Sequence, residues 1–232
     1  MKKIFYYLIY IFFLFSIIFA EKFDNEKIFF WKINTKEKII FLTFDDGPSE
    51  YTKEVLKILD KYNIKATFFV LGELIKYRKE IIIEIFNKGH IIGSHTFSHQ
   101  NFYKLCKKLS IQECKKILEE ELLKTQQEIN FVSNKIEIKY LRLPNGFYRK
   151  WVDDVVKKYA YKVINWSYGC DWLNISEEEM FKRYISSLEP GGIYLFHDGG
   201  KDRKKTIKVL EQFIEYAISK GYKFDILNNW IK

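Results

Sequence analysis

The stretch Lys38-Ile39-Ile40-Phe41-Leu42-Thr43-Phe44-Asp45-Asp46-Gly47-Pro48 decides how the rest of the chain is read. A short apolar run rich in β-branched and aromatic residues reads as a buried strand. Two acids and a Gly-Pro turn follow it at once. The pattern recurs along the chain. Further strand-like runs lie at 66–71, 91–94, 138–143, 162–167, 193–196 and 223–227. Polar clusters stand at or just after the ends of four of them: His95-Thr96-Phe97-Ser98-His99, Arg142-Leu143-Pro144-Asn145-Gly146, Asp171-Trp172 and Leu195-Phe196-His197-Asp198. Between the strands lie amphipathic segments. Ser49 can cap a helix over 50–62, Gly89 can end one over 76–87, and Ser176 with Glu179 makes a capping box. Further helices are expected over 110–129, 149–159 and 204–220. Strands alternating with helices imply a parallel sheet covered by helices. Polar clusters at the C-terminal ends of strands are where α/β barrels build their sites. Clusters from five strands must also meet at one point, which a closed barrel does more easily than an open sheet. The expected fold is therefore α/β, a distorted (β/α)7 barrel of parallel strands with outer helices.

The 232 residues allow one sizeable domain, and no linker rich in Gly, Ser or Pro divides them. Lys2 and Lys3 precede an uncharged run from Ile4 to Ala20, the pattern of an export signal. Ile18 is a poor residue before a cleavage site at Ala20, and the run is short for a span of roughly 20 residues. Residues 1–20 are thus read as a signal peptide or an N-terminal membrane anchor, 21–37 as a linker and 38–232 as the folded domain. The protein is expected outside the cytoplasm: periplasmic, cell-surface or extracellular. The net charge of +9 comes from lysines scattered over the helical segments, with no basic run interleaved with exposed aromatics. That describes a solvated basic surface and argues against a nucleic-acid partner. Three cysteines make no disulfide framework. Cys106 and Cys114 could pair only if the segment between them bends, since eight residues of straight helix would put them about 12 Å apart, beyond disulfide reach. They are read as free thiols, as is Cys170. A monomer is expected.

The polar clusters supply adjacent carboxylates, a histidine pair, an arginine, a further carboxylate and another histidine. In extended chain Asp45 and Asp46 point to opposite sides, so they are expected to do different jobs. His95 and His99, spaced i and i+4, fall on one face of a helical turn and can clamp one metal. Two imidazoles and one carboxylate leave coordination positions open, as catalytic zinc sites do. His90 precedes its strand and is read as structural. Such a set suits hydrolysis by a metal-activated water with a separate base and acid.

The order Thr43-Phe44-Asp45-Asp46-Gly47, His95-Thr96-x-x-His99, Arg142-x-Pro144-x-Gly146, Asp171-Trp172, Leu195-x-His197 resembles the polysaccharide deacetylase family. This is carbohydrate esterase family four, with the nodulation-type chitooligosaccharide deacetylase domain, and the resemblance runs over about residues 38–227. It implies that Asp46, His95 and His99 bind a divalent metal, zinc before cobalt or a similar ion. It implies that Asp45 is the general base, that Arg142 holds Asp45, and that His197 is the general acid with Asp171 as its partner. Trp172 and Leu195 would wall the acetyl-binding groove, and the Asn145 N–H would help receive the oxyanion. The implied activity is removal of N-acetyl groups from a β-linked N-acetylglucosamine polymer, peptidoglycan first. Chitooligosaccharide, an exopolysaccharide, O-acetylated xylan or non-catalytic glycan binding are the alternatives. Two positions depart from the family pattern: Tyr168 stands where many members carry Asp, and Asn145 where many carry Tyr.

Overall fold

In the computed structural model, which describes residues 27–231, one sheet holds eight strands among the described residues. They are β1 (Phe29–Phe30), β2 (Ile39–Asp45), β3 (Thr67–Val70), β4 (Ile91–Ser94), β5 (Tyr140–Leu141), β6 (Lys162–Ile164), β7 (Ile193–His197) and β8 (Lys223–Phe224). The helices are α1 (Glu50–Lys61), α2 (Gly72–Ile75), α3 (Lys79–Asn87), α4 (Phe102–Leu105), α5 (Ile111–Val132), α6 (Val152–Val156), α7 (Glu177–Ser186) and α8 (Lys204–Ser219). The signal or anchor expected at 1–20 lies outside the described residues.

The sheet order is β1-β6-β5-β4-β3-β2-β7, every pairing is parallel, and β8 pairs with Ile39 and Ile40 of β2. The chain leaving β6 then returns alongside β7. Ser167 N–H donates to the Ile193 carbonyl at 2.8 Å, and Leu195 N–H donates to the Tyr168 carbonyl at 2.9 Å. These bonds close β2 to β7 into a ring, so the expected α/β barrel of parallel strands is present and distorted. Its strand inventory differs from the sequence reading. Phe29–Phe30 adds a strand beside β6 from within the stretch read as linker, and β8 stands off the ring. Two residues of strand leave no periodicity to detect; only the pairing with Val163 and Ile164 defines them.

Strand parity builds the interior. Along β2, Ile40, Leu42 and Phe44 pack outward against the helices, while Phe41 packs inward with Phe69, Ile91, Tyr140, Ile164 and Ile193. Alternate residues face opposite sides of a strand, so the next inward positions are Thr43 and Asp45, His95, Arg142, Trp166, and Leu195 and His197. The polar clusters are thus the upper layer of the barrel interior. Leu227 and Ile231 join the inner cluster from the C-terminal segment, and the Trp230 ring lies 6.1 Å from that of Phe41. Gly93 keeps the interior passable, because a Cβ there would meet the Phe69 ring at 2.6 Å.

A further expectation is overturned. Cys106 and Cys114 form a disulfide, with Cα atoms 6.0 Å apart. They do not share a helix. Cys106 caps the end of α4, and the capping box of Ser110 and Glu113 starts α5, so the chain bends between them. Cys170 is free and buried, as read.

Candidate functional site

β4 and the loop after it deliver the histidine pair. His95 is buried, and its Nδ1 lies 2.7 Å from the Arg142 carbonyl. A carbonyl can only accept, so Nδ1 carries the proton and Nε2 presents its lone pair to the cleft. Burial pushes the His95 imidazole down from its ordinary value, against the pull of Asp45 and Asp46, which favours the neutral form a metal needs. His99 reaches the same point by a route other than the helical turn expected. Residues 95–99 form a loop in which Thr96 and His99 have φ of 68° and 56°. Asp46, with φ of 73°, turns its carboxylate to them: Oδ1 lies 3.5 Å from His95 Nε2 and 3.4 Å from His99 Nε2.

These residues fit a divalent cation. Their three ligand atoms lie within 4.8 Å of one another. Asp46 Oδ1 is buried without a hydrogen-bond partner, a costly state for a carboxylate oxygen that a cation relieves. Two nitrogens and one oxygen are also a zinc-type donor set.

Asp45 ends β2 pointing inward and is held differently. Arg142, fully buried, donates from Nη1 to Asp45 Oδ1 at 2.8 Å and to Thr43 Oγ1 at 2.9 Å. Its Nε and Nη2 donate to the Ile164 and Asn165 carbonyls at 2.9 and 3.0 Å, and its guanidinium lies 4.2 Å over the Phe69 ring. Every face of the cation is thus occupied, and it cannot swing away from Asp45. The other oxygen, Asp45 Oδ2, is 3.7 Å from His95 Nε2.

His197, at the end of β7, forms the opposite wall. Its Nδ1 is 2.7 Å from Asp171 Oδ1, and its backbone N–H donates to Asp171 Oδ2 at 2.8 Å. The Thr206 hydroxyl donates to the same Oδ2 at 3.1 Å. Burial alone would lower the His197 pKa, but Asp171, with help from Asp45 and Asp46, raises it above its ordinary value. The departure at Tyr168 leaves this network complete: its backbone closes the barrel, and Thr206 and Arg203 supply the surroundings of Asp171.

Asp45, Asp46, His95, His99, Asn145, Trp172, Leu195 and His197 all line one cleft of about 370 Å³. Arg142 lies beneath it and Asp171 behind His197. Asn145 sits on the rim in a left-handed conformation (φ 59°). The Trp172 ring stands edge-on to His197 at 5.7 Å. His90 is elsewhere: buried, its Nδ1 accepts the Ala66 N–H at 3.1 Å below the strands. Residues missed in the sequence also line the cleft. Trp166 was legible, being two positions beyond the inward Ile164. Arg203 was not, since no strand carries it. It is buried with Nη2 3.7 Å from Asp46 Oδ2 and Nη1 3.8 Å from Asp171 Oδ2, between the two walls.

A family model described as polysaccharide deacetylase matches residues 32–164. Peptidoglycan-N-acetylmuramic acid deacetylase of Bacillus subtilis (strain 168) is 32% identical over 215 residues, covering 90% of this chain and 76% of that one. A peptidoglycan-N-acetylglucosamine deacetylase of Bacillus cereus is 30% identical over 199 residues, covering 84% and 88%. The crystal structure of a peptidoglycan N-acetylglucosamine deacetylase superposes with a TM-score of 0.77 at 27% identity, over 88% of this chain and 93% of the other. With five clusters in family order, gathered on a parallel barrel that solved members share, the chain belongs to the polysaccharide deacetylase family.

Proposed function

We propose that this deacetylase is a metal-dependent hydrolase that removes N-acetyl groups from peptidoglycan outside the cytoplasm. The observation that carries the proposal is the convergence of Asp45, Asp46, His95, His99 and His197 on one cleft, the two adjacent carboxylates tied to different partners. Asp46, His95 and His99 would hold the cation, zinc ahead of cobalt for such a donor set. When bound, it supplies Lewis-acid polarisation of the acetyl oxygen and acidification of water.

The remaining chemistry belongs to the side chains. Asp45, with one oxygen pinned by Arg142, takes the proton of the attacking water on the other. The C–N bond breaks only if the nitrogen is protonated as it leaves, because an amide anion is too basic to expel. His197 supplies that proton. Asp171 can only accept at Nδ1, so Nε2 of the imidazolium faces the cleft, and the upward shift that Asp171 gives His197 favours the protonated acid. Acetate and a free amine result. Trp172 and Leu195 form the wall for the acetyl group, and the Asn145 N–H is assigned to the developing oxyanion, a type of contact worth roughly 3–4 kcal/mol.

Peptidoglycan is favoured because both similar bacterial proteins carry it in their names. N-acetylglucosamine is the first sugar, and the 32% match to an N-acetylmuramic acid deacetylase supports the muramic residue as the second reading. Export is supported by the lysine-led apolar run at 1–20 and by the Cys106–Cys114 disulfide, a bond that persists in oxidising compartments. The test is acetate release from purified peptidoglycan, chitin oligomers and acetylated xylan by the zinc-loaded protein. Mass spectrometry of the products identifies which sugar has lost its acetyl group. Release from xylan alone would overturn the proposal.

A further inference from the structure

The two histidines of the metal site are aimed by different means. The His95 ring is fixed by its bond to the Arg142 carbonyl. For the His99 ring no hydrogen bond is found among the described residues; it faces Asp46 Oδ1 at 3.4 Å and the His95 ring at 5.1 Å, both within the site, so from outside the site it is held through the backbone that carries it. That backbone is left-handed at Thr96 and again at His99, a region that non-glycine residues seldom occupy, and it must be held from outside.

It is held on two sides. The N–H groups of Gly72 and Glu73, at the start of α2, donate to the Thr96 and Phe97 carbonyls at 3.0 Å each. From the other side comes Glu121 of α5, buried and 6% exposed. Its Oε2 accepts the N–H of Phe97 at 2.9 Å and of Ser98 at 2.7 Å, and its Oε1 accepts the Ser98 hydroxyl at 2.8 Å. The helices approach closely enough that a Cβ on Gly72 would lie 2.6 Å from both the Phe97 ring and Thr125 Oγ1. Charge-assisted bonds to a carboxylate are the stronger kind, and this carboxylate spends all of them on the two residues preceding His99. Glu119, two positions earlier, faces out to Lys158 and Tyr159, so the function is specific to the third glutamate of the run.

We propose that Glu121 is a positioning residue for metal affinity: by fixing the 97–98 amides it aims His99 at the cation held with Asp46 and His95. The inference rests on the metal site proposed above. The experiment is zinc retention by the full-length zinc-loaded protein, dialysed against graded chelator and read by elemental analysis, with thermal stability measured alongside. Glu121→Ala is expected to retain zinc about 10- to 100-fold more weakly than wild type, the usual effect of removing an outer partner of a ligand. Glu121→Gln, which keeps an oxygen for the two amides, is expected within about 3-fold of wild type on the same scale. Leu122→Ala removes a buried hydrophobic-core side chain next to Glu121 on the same helix, and is expected to lower stability while leaving zinc retention unchanged. Should Glu121→Ala not fold, Glu121→Asp, its carboxylate drawn back by one methylene, carries the comparison with a loss between those of Ala and Gln. Wild-type retention by the folded Ala or Asp variant, or an equal loss in Leu122→Ala, overturns the inference. A wild-type protein that binds no zinc overturns the metal site itself.

Discussion

The two walls of the cleft are finished in opposite ways. On one, Asp46 Oδ1 is buried with no hydrogen-bond partner, and two imidazole nitrogens face it at 3.5 and 3.4 Å. On the other, Asp171 accepts the His197 ring, the His197 N–H and the Thr206 hydroxyl, so both of its oxygens are satisfied. A buried carboxylate left open is costly and suits an ion that brings its own charge. A carboxylate fully satisfied around one imidazole suits a proton that must be kept. Under the proposed mechanism the same two residue types, aspartate and histidine, would thus take different roles according to their hydrogen-bond partners.

Removing a donor from the open wall has the largest expected effect. His95→Ala should leave zinc at background by elemental analysis, and acetate release should fall by at least about 10³-fold, the scale of lost metal assistance. Full zinc occupancy in that variant would erase the distinction between the walls. The closed wall is tested by Asp171→Asn. Asp171 raises the His197 pKa, so the wild-type imidazolium persists to a pH above the ordinary histidine value. The alkaline limb of the pH profile of kcat should move to lower pH in the variant, and turnover at neutral pH should drop by about 10²-fold. An unmoved limb would show that Asp171 does not govern the acid.

The smallest effect on turnover is expected at a histidine outside both walls. Burial pushes His90 down to about 4, whereas its unfolded counterpart titrates near 6.5. Between those values the unfolded chain takes up the proton and the folded one does not. The stability His90 contributes is therefore complete above about pH 6.5 and is lost as pH falls towards 4, by about 3 kcal/mol. His90→Asn, whose amide oxygen can replace Nδ1 at the Ala66 N–H, should flatten that window in denaturant midpoints while leaving neutral-pH turnover unchanged. Equal pH dependence in both proteins would mean that His90 protonates freely in the fold.

Much of this architecture was legible because the chemistry lies on strands. The run from Ile39 to Asp45 announces itself by composition, and its parity already separates Phe41, Thr43 and Asp45 from the outward Ile40, Leu42 and Phe44. Extending the same parity past Ile164 would have found Trp166. Where a residue's meaning depends on a distant partner, the sequence is mute. Nothing distinguishes Glu121 from Glu119 and Glu120 until α5 packs on the 97–98 loop. Arg203 starts a helix with no periodic role, and two residues of β1 are too few to read. The disulfide needs the chain to bend between Cys106 and Cys114, and the Ser110-x-x-Glu113 capping box, which starts a new helix between them, is the signal of that bend.

The most direct measurement compares zinc-loaded wild type with Asp45→Asn on the same peptidoglycan fragments, following acetate release and zinc content together. Asp45 is bound to Arg142 rather than to the cation group, so the variant is predicted to keep its zinc and lose about 10²- to 10⁴-fold in turnover. Undiminished acetate release from the variant would contradict the assignment of Asp45 as the base. Loss of zinc from it would contradict the division of labour between the two neighbouring carboxylates.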